Sequence, residues 1–222
     1  MVLNNENLLR YDLNKQNCER ASMRGVLDSI GCSFCQINSK RIFISGGGLK
    51  EAALLPKKPL TPSASAYSYT WQNHSVIKHK PMPAARMAHS LVFFLGAVYT
   101  LGGTEPRSMV SFNLGSGVWE TLADMKHPHE MGPAICAFED RRVLFVFGGS
   151  SNNVANALIE RYEAKTGKWD ELSIILPQAF DRTIHAAVPL EIKARRGGAA
   201  VGGGGDASSS SQFQNKILFI RF

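Results

Sequence analysis

The sequence predicts an all-β fold assembled from repeated units of four antiparallel strands. Three observations carry that expectation. First, Phe112 and Trp119 share a frame with Tyr162 and Trp169: an aromatic residue, six residues, then Trp, with the two copies 50 residues apart. Second, a short β-rich run ending in paired glycines precedes each aromatic. Third, another apolar run precedes each of those, separated from it by a few turn-forming residues, which reads as two strands joined by a tight hairpin.

Taken in chain order, Tyr11 and Cys18 keep the aromatic spacing first, with Cys in place of Trp. The stretch 9–18 therefore reads as the third and fourth strands of a half unit. The next unit, about 32–82, has runs at 32–37 and 41–45, the turn Asn38-Ser39, then Gly46, Gly47 and Gly48. Tyr69 follows, with Val76 where Trp would stand. A second unit, about 88–125, has runs at 90–95 and 98–101 around Gly96, then Gly102 and Gly103, Phe112 and Trp119. A third, about 133–175, has runs at 134–138 and 143–147 around Glu139-Asp140, then Gly148 and Gly149, Tyr162 and Trp169. Gly115-Ser-Gly117 and Lys165-Thr-Gly167 are the turns between third and fourth strands, where glycine takes positive φ without steric cost. The stretches 185–191 and 216–220 supply first and second strands of a rear half unit.

Four antiparallel strands per unit describe a propeller blade. The aromatic and the Trp are expected on neighbouring strands, filling the space between blades. The paired glycines are expected to end a buried inner strand where backbones crowd.

Composition narrows the function classes. Of 222 residues, 44% are hydrophobic and 19% charged, enough apolar material for a packed domain. The net charge is +7, but the basic residues lie in scattered pairs such as Lys57 and Lys58, Lys78 and Lys80, or Arg141 and Arg142. A nucleic-acid footprint is more concentrated, so nucleic acid is not the expected partner. The first ten residues lack the apolar core of a secretory signal, and no stretch approaches the roughly 18 apolar residues of a spanning helix. The expectation is a cytoplasmic protein with reduced thiols at Cys18, Cys32, Cys35 and Cys136, and no membrane contact. Cys32 and Cys35 have metal-ligand spacing but no second pair, and in a strand they face opposite sides.

No catalytic, metal or cofactor set emerges. His127 and His129 would share one side of a strand, but the reading taken is an exposed Pro-containing loop between units. Asp124 and Glu130 lie nearby without a ligand spacing. The run 202–205 is all glycine, yet lacks the Lys-Ser/Thr and the strand–helix setting of a phosphate cradle.

Gly102-Gly103 with Phe112 and Trp119, and Gly148-Gly149 with Tyr162 and Trp169, resemble the kelch-repeat family, whose period is about 50 residues. Arg86 with His89, and Arg182 with His185, match the Arg and His that kelch units often carry before the first strand. Their recurrence points to hydrogen bonding between blades. The resemblance covers roughly 9–190 and implies a kelch-type β-propeller, partial or of about four blades. It also implies a protein-binding module, such as a scaffold or a substrate-recognition subunit of a ubiquitin ligase. No BTB-like or F-box-like segment accompanies the repeats. Candidate contact loops follow the double glycines: 49–66 with Lys57 and Lys58, 104–109 with Glu105 and Arg107, and 150–157 with Asn152 and Asn153. Some kelch-type propellers are enzymes, among them galactose oxidases and sialic-acid mutarotases, and no residue set here maps onto the copper enzymes. A carbohydrate or small-molecule propeller is the competing class, and a fragment without independent function is a third.

The two half units are complementary, so joining them would close a four-bladed ring, whereas an open arc would leave strand edges for self-association. A fragment of a longer propeller is the favoured expectation. Residues 1–8 are expected to lie outside the fold, 192–215 to form a flexible Gly/Ser-rich insertion, and 216–222 to hold the last strand.

Overall fold

The computed structural model describes residues 2–4, 7–12, 16–22, 29–49, 60–151, 154–174, 184–193 and 213–221. All regular structure among them is β. The front group is β1 (Val2–Asn4), β2 (Asn7–Asp12) and β3 (Asn17–Ser22), followed by the short β4 (Ser29–Ile30). Blade I begins with β5 (Ser33–Asn38) and β6 (Arg41–Ser45); β7 (Gly48–Leu49) pairs back to β4, and β8 (Ala66–Thr70) and β9 (Ser75–Lys78) complete it. Blade II is β10 (Ser90–Phe94), β11 (Ala97–Leu101), β12 (Met109–Asn113) and β13 (Val118–Thr121). Blade III opens with β14 (Ala134–Phe138) and β15 (Val143–Phe147), carries the small hairpin β16 (Ser150–Ser151) and β17 (Val154–Ala155), and ends with β18 (Ile159–Glu163) and β19 (Lys168–Leu172). A rear hairpin joins β20 (Ile184–Lys193) to β21 (Phe213–Arg221).

Each of blades I to III is a four-stranded antiparallel sheet in simple sequential order. The chain is a partial propeller of the predicted class. Register sets the repeat: Phe112 stands opposite Trp119, Tyr162 opposite Trp169, Tyr69 opposite Val76 and Tyr11 opposite Cys18. The first strands β5, β10, β14 and β20 lie side by side and so are innermost. The double glycines end the second strand of each blade, a largely buried strand between the first and the third. In blade II the inter-blade linkers approach them closely.

The cores are layers between blades. Phe43 and Cys35 of blade I meet Val98 and Phe112 of blade II, with Trp119 against them. The Phe43 and Phe112 ring centroids are 5.3 Å apart, and Phe112 and Trp119 are 4.8 Å apart. Phe94, Leu101 and Met109 of blade II meet Leu144, Val146, Tyr162 and Trp169 of blade III. Leu8 and Ala21 of the front group pack on Ile42, Ile44, Tyr69 and Trp71 of blade I. Cys35 thus joins the blade I–II layer while Cys32 packs on the front layer, opposite faces of one blade. Burial pushes the Cys35 and Cys136 thiols up to about 12, which keeps both protonated and inert.

Three elements differ from the sequence expectation. Val2–Asn4 forms β1 on the edge of β2, inside the stretch expected to lie outside the fold. The rear strands run further than expected, to Lys193 and from Phe213, because cross-strand pairing continues beyond the apolar positions that betray a strand. Trp71, which has no place in the repeat frame, is buried edge-on to Tyr69 with the Arg10 guanidinium 5.7 Å from its ring centroid.

Candidate interaction rim

Antiparallel order puts the loops after the double glycines and the linkers between blades at one end of the sheets. The first-to-second and third-to-fourth turns lie at the other end. Hydrogen bonds knit the first set into a continuous rim. Gly47 N donates to Arg86 O at 2.8 Å, and Gly103 N to His129 O at 2.9 Å. In each case the second glycine of one blade grips the linker of the next. Ala88 N donates to Gly31 O and Gly132 N to Ala88 O, stepping from blade to blade around the axis. Ser33 and Ser90, which open the first strands of blades I and II, donate their hydroxyls to His89 O and Pro133 O of the following blade.

The double glycine is the hinge of this arrangement. Gly102 has φ +68° and Gly103 φ +79°, a region that favours glycine. A Cβ on Gly102 would meet His129 O at 2.4 Å, and one on Gly103 would meet Met87 O at 2.4 Å.

Arg86 and His89 occupy the blade I–II seam. Arg86 is 1% exposed, and its guanidinium turns into its own blade. It donates to Gly102 O at 3.2 Å, Ser108 O at 3.1 Å and Ser108 Oγ at 2.7 Å, with Glu105 O further off at 3.4 Å. Only its backbone crosses to blade I, where its N–H donates to Ser63 O at 2.9 Å and its carbonyl accepts from Gly47 N. Burial lowers its pKa, opposed by the charges of Glu105 and Asp124. His89 does cross the seam, with Nε2 3.1 Å from Ser45 Oγ. Burial, with the Arg86 charge beside it, pushes His89 down to about 3, so the ring is neutral. Arg182 and the side chain of His185 lie outside what the structure describes.

At the next seam the structure corrects the sequence reading. His129 does not sit in an exposed loop: it is fully buried and fills the station of Arg86. Its Nδ1 is 2.7 Å from Gly148 O, as the Arg86 guanidinium reaches Gly102 O. Its Nε2 is 3.1 Å from Glu160 Oε1. His127 alone is half-exposed, 2.7 Å from Glu171 Oε2. Burial raises the Glu160 carboxyl, and hydrogen bonds from His129 and from the Lys126 and His127 amides outweigh it, leaving a net downward shift. Sequence reasoning missed this pair because nothing local marks it. The one available signal was Glu160 at the strand position where blade II has Val110.

The indole N–H groups tether neighbouring blades. Trp119 Nε1 donates to Lys80 O at 2.8 Å and Trp169 Nε1 to Ala123 O at 2.9 Å, both carbonyls two residues past the preceding blade's last strand. Of the candidate contact residues, Arg107 is exposed and donates from Nε to Met125 O. Glu105 is half-buried, with its carbonyl on Arg86. Lys57, Lys58, Asn152 and Asn153 lie outside the described residues. The rim also exposes two apolar side chains, Met131 (64%) and Val154 (65%), on adjoining segments joined by Glu130 N to Ser150 O. Among the described residues, no three His, Cys, Asp or Glu side chains converge as metal ligands, and no helix is long and apolar enough to cross a membrane.

Relatives place this geometry. The chain is 29% identical over 116 residues to the F-box/kelch-repeat protein At3g46050 of Arabidopsis thaliana, covering 50% of this chain and 30% of that one. It is 32% identical over 96 residues to Kelch-like protein 41b of Danio rerio, covering 41% of this chain and 15% of that one. Its repeats are similar to the kelch repeats of these proteins. No protein-family model matches the chain. The solved structure of YjhT superposes on the blades with a TM-score of 0.64 over 80% of this chain and 61% of that one, at 13% identity, which is a likeness of fold. The match spans under a third of either curated relative's length.

Proposed function

We propose that the kelch blades form a protein-interaction module whose contact surface is the rim of post-glycine loops and inter-blade linkers. The observation that carries this reading is the rim's construction. Backbone hydrogen bonds fix loops of one blade to linkers of the next, which presents a broad surface with Met131 and Val154 raised from it. Unbranched Met adapts to varied partners, and exposed apolar side chains on a rigid rim suit docking more than chemistry. Kelch-repeat relatives support the same reading, one of them named as an F-box protein. The finer role we infer is substrate recognition within a ubiquitin ligase or scaffolding, in the cytoplasm. The four cysteines are all free, which fits a reducing compartment.

The test compares affinity capture by the whole chain with capture by rim variants. Met131→Glu and Val154→Glu should lose a protein that the unaltered chain retains, while Lys165→Glu, in a turn at the opposite end of blade III, should keep it. Capture indifferent to the rim, together with a sugar or nucleotide that raises Tm, would overturn the module in favour of a small-molecule propeller.

A further inference from the structure

Blades II and III fill one station with different chemistry. Arg86 and His129 each reach the first carbonyl of their blade's double glycine, Gly102 O and Gly148 O. Facing them in the third strand, two positions before the frame aromatic, stand Val110 in blade II and Glu160 in blade III. The linker 125–130 hangs on that carboxylate. Glu160 Oε2 accepts from Lys126 N at 2.7 Å, and Oε1 accepts from His127 N at 2.9 Å and faces His129 Nε2 at 3.1 Å. Both side chains are fully buried. His129 Nδ1 lies 2.7 Å from Gly148 O and 3.4 Å from Asn156 Nδ2, while Nε2 faces the carboxylate. Asn156 Nδ2 donates to Pro128 O at 3.0 Å, which ties the post-glycine loop of blade III to the same linker.

The surrounding charges come from every neighbouring element. On the linker, the Lys126 side chain is exposed and its charge bears on Asp170, His127 pairs with Glu171 of β19, and Glu130 closes the segment with its amide on Ser150 O. From blade II, Arg107 holds Met125 O. Arg161, beside Glu160 in β18, alternates to the other face of the strand and pairs with Asp170 at 2.8 Å. The contacts on the buried carboxylate are therefore His129 and the two amides.

We propose that residues 125–130 are a pH-gated latch between blades II and III, closed while Glu160 is a carboxylate. A proton on Glu160 weakens the acceptor that three N–H groups share. That change leaves buried N–H groups short of a full acceptor, and the linker loosens together with residues 148–151 and 154–156. The Arg86 contacts have no such response, because a guanidinium does not titrate and Val110 carries no charge; acid reaches that seam through His89, on Ser45 of blade I.

Hydrogen exchange on the full chain across pH, corrected for intrinsic rates, reads the latch directly. Acidification should speed exchange at 125–130, 148–151 and 154–156 by about tenfold, the rate equivalent of one hydrogen bond to a charged group. In a His89→Gln background, which removes the titrating ring from the blade I–II seam, the segment 102–108, held by Arg86, should not follow. Transplanting the blade II pair, His129→Arg with Glu160→Val, should flatten the pH profile, and His127→Gln should leave it in place. Glu160→Gln, which carries no charge at any pH, should flatten the profile as well and reads the latch if the transplant does not fold. A pH profile that neither variant changes would overturn the latch.

Discussion

Single residues in this chain are specified by what approaches them from the linkers between blades. Gly103 shows it best. Its positive φ costs an L side chain about 1–3 kcal/mol, and the Met87 carbonyl stands where a Cβ would go. Gly103→Ala should therefore lower the unfolding free energy by at least about 2 kcal/mol, seen as a shifted denaturant midpoint with the slope unchanged. Gly117→Ala, with equally positive φ but open space around it, should cost only the backbone term. The paired glycines were legible in the sequence because glycine leaves a visible mark wherever backbone crowds. Glu160 was not legible, because a buried carboxylate reads the same as an exposed one until its partners are located. His129 was misread for the same reason: an isolated His-Pro-His suggests a loop, and its acceptors lie 19 and 31 residues away.

At the level of strands, the repeat frame is a cross-strand pair with a tether attached. Trp169 lies opposite Tyr162, fills the blade II–III layer and donates its indole N–H to Ala123 O. Those contributions separate by substitution. Trp169→Phe keeps most of the apolar contact and should cost about 1 kcal/mol for the lost hydrogen bond, with some addition for volume. Trp169→Ala should cost about 3–5 kcal/mol, since the layer cannot collapse between two rigid sheets. Thermal unfolding of the two variants gives the comparison. Blade I carries Val76 at this station and has no such tether, which is why the sequence signal is weakest there while its sheet is as complete as the others. Strand existence followed from apolar runs and turn residues. Strand length in the rear hairpin did not, because pairing from Leu190 to Lys193 and from Phe213 to Lys216 continues through mixed polar sequence.

For the whole molecule, stability is a chain of nearest-neighbour seams, as in other repeat architectures. The seams need not respond alike to solution conditions. His89 is held neutral, down at about 3, against an ordinary histidine value near 6.5. The unfolded chain therefore binds a proton that the folded chain refuses. Stability from this residue is full above about pH 6.5 and is lost as pH falls toward 3, by about 1.4 kcal/mol per unit at the full slope. His89→Gln should flatten that part of the acid limb in denaturant titrations taken at several pH values. The pairing of Arg with Val in one blade and of His with Glu in the next also fixes what counts as a module. A blade III copied into another propeller from Ala134 onward would arrive with the buried Glu160 and without the segment whose N–H groups it accepts. The smallest portable piece starts at Met125, inside what looks like a connector, so duplication and recombination of such blades must cut upstream of the sheet to yield a foldable product.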